Sequence, residues 1–408
     1  MNQVLIVALV KIGVLVGGIM TAAAYFVLLE RRVAAWIQDR HGPNRVGIPL
    51  TKIRLFGLGQ PLADGLKMIL KEEYTPAHVD KRLFLLAPIV ILTAALAVYA
   101  AIPFGDRIPA LPGAGIDAPI SLIVAPQLDV GLIYIFALSS IAVYGVILGG
   151  WASNSKYSFL GGLRSSAQMI AYELPLGLGI LGVVVVSSSL RLDDIINAQA
   201  SSGLWFAITQ PLGFMVFVVA AFAEAARLPF DLPECEQELV GGYHTEYAGM
   251  KLVLFLVAEF IHMITASFLI AIMFLGGWHL WGITGTVDSP ITWSLAILRI
   301  AVLMAKIFAV IFFFMMVRWT WPRFRFDQLM SLAWKVMLPL GIVNLVAVAV
   351  LTEMEHIGWL GAHGAIWVCL AGWAVALLGW MGVAMIGPLV TDNRPRLDMR
   401  PYEVDPQL

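Results

Sequence analysis

The sequence has little charge and few cysteines. Only 13% of its 408 residues are Asp, Glu, Lys or Arg, and the net formal charge is -1. The two cysteines, Cys235 and Cys369, stand far apart, so they cannot by themselves supply an iron–sulfur cluster or a tetrahedral zinc site, and they indicate no disulfide framework. The histidines show no metal-ligand spacing, and without an excess of positive charge nothing indicates a nucleic-acid partner.

Apolar residues dominate what is present. They make up 60% of the chain and fall in long runs separated by short polar stretches, which is typical of a polytopic membrane protein. A bilayer span needs about 20 mainly apolar residues. On that basis the sequence predicts an all-α bundle of nine spans. They run near residues 4–29, 83–102, 129–150, 168–188, 204–223, 252–275, 295–317, 336–352 and 365–388.

The chain is expected to form one main membrane domain with a C-terminal addition. Residues 1–350 would hold eight spans, 351–390 would add a further span, and 391–408 would form a charged, proline-containing cytoplasmic tail. The glycines of Gly177-x-Gly179-x-x-Gly182 match a dinucleotide-binding pattern, but they lie inside an apolar span with no preceding strand. We therefore expect them to serve close helix packing.

The distribution of basic residues predicts the orientation in the membrane. The first connection, residues 30–82, holds ten Lys and Arg residues, and the odd-numbered connections are the basic ones throughout. The even-numbered connections hold only Arg107 and Arg191. The positive-inside rule then places the N-terminus outside and the C-terminal tail in the cytoplasm. That arrangement requires an odd number of spans, which nine satisfies.

The first connection contains a surface helix. Leu58, Leu62, Leu66, Ile69 and Leu70 recur at helical spacing, with polar residues mostly on the other side. This pattern predicts an amphipathic helix at the membrane surface. Two interpretations stay open: the helix only anchors the loop, or it lines the mouth of a site for a lipid-like ligand.

Four charged residues fall within predicted spans. Glu173 lies in the fourth span, Glu259 in the sixth, and Arg299 and Lys306 in the seventh. Ionisable groups at this depth usually face the interior of a bundle and mark a path for ions or protons. Because Arg299 and Lys306 are seven residues apart they share a helix face, and we expect them to pair with carboxylates of the fourth and sixth spans. The alternative is an ion pair with a purely structural role.

The fifth connection, residues 224–251, gathers negative charge. Its carboxylates are Glu224, Asp231, Glu234, Glu236, Glu238 and Glu246. No lysine lies between Arg227 and Lys251 to balance them, and apolar residues are interleaved with them. A solvated acidic loop is the simpler interpretation. The functional one is a coupled group of carboxylates that takes up and releases protons when a charge changes nearby.

Several segments together carry a resemblance to a known family. They are ERRVAAWIQDRHGPNRVG (30–47), GQPLADGLKMILKEE (59–73), GWASNSKYSFLGGLRSSAQMIAYE (150–173), AEAARLPFDLPECEQELVGGYHTEYAGMK (223–251), FLVAEF (255–260) and WPRFRFDQLM (321–330). In this order they resemble the membrane subunit called H, or 1, of respiratory complex I, the proton-pumping NADH:quinone oxidoreductase. The resemblance covers most of residues 1 to 345.

The resemblance implies a function. Subunits of this family join the hydrophilic redox arm to the proton-pumping membrane arm and form much of the path by which quinone reaches its reduction site. The chain itself would bind no cofactor and no metal. Its substrate would be a quinone, ubiquinone or menaquinone, while FMN and the iron–sulfur clusters would reside in partner subunits. Its other partners would be the small membrane subunits and membrane lipid, in an energy-transducing membrane such as the bacterial plasma membrane.

The resemblance also assigns residues by their position in matching motifs, none of them catalytic by covalent or redox chemistry. The quinone channel would use Glu30, Arg31, Arg40, Asp64, Lys67, Lys71, Glu72 and Arg227. The proton or charge relay would use Glu173, Glu224, Asp231, Glu234, Glu236, Glu238, Glu246, Glu259 and Lys306. Docking to the redox arm would use Arg318, Arg323, Arg325 and Asp327. Two other functions stay open: the anchor subunit of a membrane-bound hydrogenase and a stand-alone proton-coupled transporter.

Overall fold

Helices form nearly all of the regular structure in the residues that the computed structural model describes, which are 2–47, 56–110, 118–126, 128–231, 239–286, 289–359 and 364–390. The helices are α1 (Asn2–Ile37), α2 (Gln60–Leu70), α3 (Lys81–Ala97), α4 (Gly131–Ala152), α5 (Lys156–Ser187), α6 (Leu192–Ser202), α7 (Phe206–Thr209), α8 (Pro211–Glu224), α9 (Gly249–Met273), α10 (Trp293–Thr320), α11 (Phe326–Ser331), α12 (Leu338–His356) and α13 (Gly364–Val390). A π-helical turn, Leu332–Met337, joins α11 to α12. Short strands β1 (Arg107–Ile108) and β2 (Ile120–Ser121) pair in antiparallel fashion.

Within the described ranges, eight helices are long and apolar enough to cross a membrane. They confirm the predicted all-α polytopic bundle and correspond to eight of the nine predicted spans. Several begin or end beyond the predicted limits. The first helix runs on to Ile37, and α5 begins at Lys156, well before the apolar run itself.

The fifth predicted span, residues 204–223, is wrong as a single helix. The chain forms the short α7 and then the 14-residue α8, separated at Gln210, whose backbone is not helical. Pro211 is the physical reason, because a proline disfavours helical backbone in the residue before it. At 1.5 Å per residue α8 is about 21 Å long, which is shorter than the roughly 30 Å of a hydrocarbon core.

Local signals set other helix limits. The Asp80 side chain accepts hydrogen bonds from the backbone N–H groups of Arg82 (3.1 Å) and Leu83 (3.4 Å) and so caps the N-terminus of α3. Helix α6 ends at Gly203, which adopts the left-handed conformation that favours glycine. Such caps satisfy backbone groups that have no partner within the helix.

The amphipathic helix of the first connection is confirmed as α2. None of its residues is buried, and its large apolar side chains, Leu62, Leu66, Ile69 and Leu70, are all exposed. An exposed apolar stripe of this kind suits a lipid surface. Its placement at the membrane surface stays a prediction.

Glycines allow α5 to pack closely on its neighbours, as predicted for two of the three. A Cβ atom at Gly179 would lie 3.1 Å from the carbonyl oxygen of Gly213 on α8, and one at Gly182 would lie 2.8 Å from Oε1 of Gln210. A Cβ atom at Gly177 would contact nothing within 4 Å, so the prediction is wrong there.

The C-terminal addition is present as α13. It packs against α8 and α12 through a small apolar cluster that includes Leu212, Val216, Leu340 and Ala376. The charged tail, residues 391–408, lies outside the described residues.

Candidate functional site

A buried carboxylate at the end of α1 holds two arginines from distant parts of the chain. Glu30 Oε2 lies 3.2 Å from Nη1 of Arg227, which follows α8, and Glu30 Oε1 pairs with Nη1 of Arg318 in the last turn of α10. Glu30 is 8% exposed and Arg227 is 5% exposed. Arg227 also lies over the ring of Phe260 at 4.2 Å. These contacts offset the cost of burying the charges, and we call this group the Glu30 cluster.

The acidic fifth connection is tied to the basic seventh connection. Asp231, which is buried, lies 3.4 Å from Nη2 of Arg323. The backbone N–H of Phe324 donates to the carbonyl oxygen of Pro229 (3.2 Å), and the rings of Phe230 and Phe324 stack with centroids 5.5 Å apart. Two segments about 90 residues apart therefore form one surface next to the Glu30 cluster.

The seventh-connection residues divide into two groups. Arg318 and Arg323 make the intramolecular pairs just described, whereas Arg325 and Asp327 lie at the start of α11. Intramolecular pairing gives the first two a role that the sequence did not indicate. Docking of this surface to a redox arm stays a prediction.

The first-connection residues lie around α2. Arg31 Nη1 pairs with Asp64 Oδ2 at 2.7 Å, which links α1 to α2 one residue beyond Glu30. Arg40 Nε donates to the side chain of Gln38 at 2.7 Å. The remaining predicted residues, Lys67, Lys71 and Glu72, are exposed. The structure therefore brings Asp64 toward the Glu30 cluster and leaves those three on the outer surface of the chain.

Within the bundle, carboxylates from three helices converge on a pair of serines, a tyrosine and a histidine. Ser139 and Ser140 on α4 donate hydrogen bonds to Glu224 and Glu173, respectively. Tyr243 donates its hydroxyl hydrogen to Glu259 Oε1 at 3.1 Å. These bonds satisfy polar groups that would otherwise be costly in a low-dielectric interior.

Three small cavities connect these groups. Glu224 and His262 line all three, Glu173 lines the second and Glu259 lines the third. Their volumes are about 20, 10 and 10 Å³, close to the 10–15 Å³ that one water molecule needs. Nε2 of His262 is buried and has no hydrogen-bond partner among the described residues. A water in the cavities could bridge His262 to the neighbouring carboxylates.

His262 was not identified from the sequence. It lies three residues after Glu259 on α9, so the two side chains share a helix face. That spacing was the available signal. The partner serines and Tyr243 could not be inferred, because they meet the carboxylates only through tertiary packing.

Arg299 and Lys306 do not pair with the predicted carboxylates. Arg299 forms its ion pair with Asp106 and donates to the carbonyl oxygens of Thr284 (3.1 Å) and Thr286 (2.9 Å). Lys306 Nζ donates to three backbone carbonyl oxygens that follow the end of α9, those of Leu275 (2.6 Å), Gly277 (2.9 Å) and His279 (2.6 Å). Both cations therefore hold the connection between α9 and α10, and a relay role for Lys306 stays a prediction.

The same connection contains a histidine with a shifted pKa. Burial, reinforced by the positive charge of Arg299, lowers the pKa of His279 to about 4. The side chain is therefore neutral near pH 7, as its position beside two cations requires.

The other predicted relay residues are only partly covered. Glu246 is half-buried. Glu234, Glu236 and Glu238 lie outside the described residues, together with Cys235. No group of three or more His, Cys, Asp or Glu side chains placed to hold a metal ion occurs in the described part of the chain.

A long apolar groove follows α1 toward the Glu30 cluster. Its volume is about 540 Å³, and α1 from Val10 to Phe26, α9 and α10 supply most of its wall. Phe26 lies one helical turn from Glu30, and Ile264 lies one turn from Phe260. The only charged side chain in its lining is Lys11, at the far end.

Comparison with known proteins gives consistent matches. A family model described as "NADH dehydrogenase" matches residues 10–349. Three relatives carry names that make them H-type subunits of NADH-quinone oxidoreductase. The chain is 48% identical over 337 residues to the one numbered 1 from Geobacter metallireducens, covering 83% of this chain and 94% of that one. It is 47% identical over 335 residues to the one numbered 2 from Geobacter sulfurreducens, covering 82% and 93%. It is 46% identical over 340 residues to the one numbered 2 from Syntrophobacter fumaroxidans, covering 83% and 94%.

Proposed function

The chain belongs to the NADH dehydrogenase family, alongside relatives named as H-type subunits of NADH-quinone oxidoreductase, and from this premise we propose how it serves such a complex. As a multi-pass membrane subunit it would form a path for quinone from the lipid to the Glu30 cluster. It would also carry the resulting charge change into the bundle through Glu224, Glu173 and Glu259. The electron carriers, FMN and iron–sulfur clusters, would belong to partner subunits.

The apolar groove and the Glu30 cluster carry the first part of the proposal. From Val10 to Phe26 the groove extends about 24 Å along α1 at 1.5 Å per residue. A quinone has a long apolar tail and a polar head, so it needs an apolar surface that ends at polar groups. The groove ends one turn from a carboxylate with two arginines, and the exposed apolar stripe of α2 lies beside it.

The ion pairs near the groove would respond to the chemistry. Reduction of a quinone to a quinol consumes two protons, so negative charge develops beside whatever groups supply them. Arg227 and Arg318 share the Glu30 carboxylate, and Arg323 holds Asp231 in the adjoining segment. A new negative charge next to these arginines would compete with their carboxylate partners.

The cavities around Glu224 and His262 would continue the route. Water bridging buried carboxylates and a histidine provides hydrogen-bonded steps along which protons can move. Glu224 is the last residue of α8 and lies three residues before Arg227. It is therefore the link between the Glu30 cluster and the carboxylates inside the bundle.

Replacement of Glu30 by Gln tests the quinone path. Membranes containing Glu30→Gln would be assayed for NADH oxidation with a quinone and, separately, with an artificial acceptor that takes electrons before the quinone step. We expect at least an about tenfold fall in the quinone activity, equal to ~1.4 kcal/mol in activation free energy, with the artificial-acceptor activity retained. Glu355→Gln, an exposed change on α12, is the matched control. Unchanged quinone activity in Glu30→Gln would contradict the proposed path.

A further inference from the structure

A separate cavity lies where the fifth span is broken. Its volume is about 110 Å³, and residues of α5, α7, α12 and α13 line it, together with the break at Gln210. It shares no lining residue with the cavities around Glu224 and His262. Nothing in the proposed quinone or proton route uses it.

Buried polar groups without partners point into this cavity. Asn344 is 3% exposed and Gln210 is 4% exposed. Nδ2 of Asn344, Oε1 of Gln210 and Oγ1 of Thr209 all lack a hydrogen-bond partner among the described residues. They offer a donor, an acceptor and a hydroxyl that can serve as either. Buried polar groups are normally satisfied, by protein or by ordered water, so these three atoms call for a ligand that both donates and accepts hydrogen bonds.

Two glycines preserve the space around the amide of Asn344. A Cβ atom at Gly182 would lie 2.9 Å from Nδ2 of Asn344, and one at Gly213 would lie 2.7 Å from it. Any other residue at either position would displace the amide. Close packing of α5 and α8 therefore leaves this polar group in place at the edge of the cavity.

The break in the span creates a need for water at this depth. Helix α8 is only about 21 Å long, and the first N–H groups of a helix have no partner within it. Non-helical backbone inside a membrane is tolerated where it is buried in protein or lines a water-filled cavity. The turn at Gln210 and the start of α8 occupy this position.

Helix α13 closes the cavity on the side away from α5. Val368, Gly372 and Val375 contribute to its wall, and a Cβ atom at Gly372 would clash with the carbonyl oxygen of Thr209. Helix α13 therefore lies directly against α7. It begins at Gly364, beyond residue 349, where the family match ends.

We propose that this cavity is a hydration site, in which ordered water molecules bind Asn344, Gln210 and Thr209, and that α13 is the wall that separates this water from lipid. The cavity exceeds the about 10–15 Å³ that one water requires, and it is well below the roughly 300–1,000 Å³ of sites for larger ligands. Its ligand is therefore water rather than a cofactor or a lipid.

A structure of the intact complex tests this directly. Electron cryomicroscopy at a resolution that resolves ordered water elsewhere in the bundle should show water density within hydrogen-bonding distance of Asn344 Nδ2 and Gln210 Oε1. An empty cavity, or continuous density for an acyl chain, would overturn the proposal.

Hydroxyl-radical footprinting of the wild-type complex provides a second measurement. Radicals generated from bound water should oxidise Val348 and Leu351, which line the cavity, several-fold more than Val346 and Val350, which are exposed on the lipid-facing side of the same helix. The double variant with Asn344→Leu and Gln210→Leu should lose this difference. Equal oxidation of the two pairs in the wild type would show that the cavity is dry and would rule the proposal out.

Discussion

The Glu30 cluster gives the sharpest stability prediction. Glu30→Ala removes a carboxylate that two arginines share, and it leaves Arg227 buried beside Phe260 with part of its charge uncompensated. Removal of one partner from a buried ion pair costs about 3–5 kcal/mol. Arg318, whose side chain is 23% exposed, adds less because solvent can screen it.

The Arg31–Asp64 pair is the matched comparison. It joins α1 to α2 nearby, but its side chains are 46% and 34% exposed, so the pair is worth roughly 0–1 kcal/mol. We expect Glu30→Ala to lower the thermal stability of the purified complex, followed as loss of this subunit, far more than Asp64→Ala does. The double variant with Glu30→Met and Arg227→Met should recover part of the loss, since apolar groups of similar volume can replace a buried pair. The reasoning would be refuted if Glu30→Ala and Asp64→Ala were equally stable, or if the double variant were less stable than Glu30→Ala.

Three further predictions concern the route and the connection between α9 and α10. Glu224→Gln keeps an oxygen that can accept from Ser139 but removes the titratable proton, so protons moved per NADH in sealed vesicles should fall while quinone reduction continues; an unchanged ratio would exclude Glu224 from the route. Lys306→Met removes three hydrogen bonds to backbone carbonyls and should lower stability by roughly 2–3 kcal/mol; normal thermal stability with reduced pumping would instead support the relay role predicted from the sequence. Because the folded-state pKa of His279 is lowered to about 4 from 6.5, stability present above pH 6.5 should be lost as the pH falls toward 4, by up to about 1.4 kcal/mol per unit; thermal inactivation of His279→Gln at pH 7 and 5 should show a smaller dependence, and an identical dependence would contradict the assignment.

Hydropathy predicted most of the bundle because burial in lipid imposes length and composition on each span. It failed at residues 204–223, where the apolar run is continuous but Pro211 ends the helix geometry at Gln210. Proline chemistry overrode composition there. A local rule could have placed the break, whereas composition alone could not.

The candidate site was predictable in part. Motif resemblance named Glu30, Arg227 and Arg318, yet only the tertiary structure places both arginines on one carboxylate. The spacing of Arg299 and Lys306 correctly put them on one helix, but helix periodicity does not identify partners. Asp106 belongs to a connection whose position no periodic pattern fixes, and the partners of Lys306 are backbone carbonyls that could not be inferred from side-chain types.

The subunit composition of the native assembly tests the central claim most directly. The chain would be tagged at its C-terminus, extracted in mild detergent, and its copurifying proteins identified by mass spectrometry. We expect flavin and iron–sulfur subunits together with other membrane subunits, and NADH oxidation by quinone in the purified material. A nickel-containing partner enzyme, or a chain that remains alone under several gentle extractions, would contradict the account.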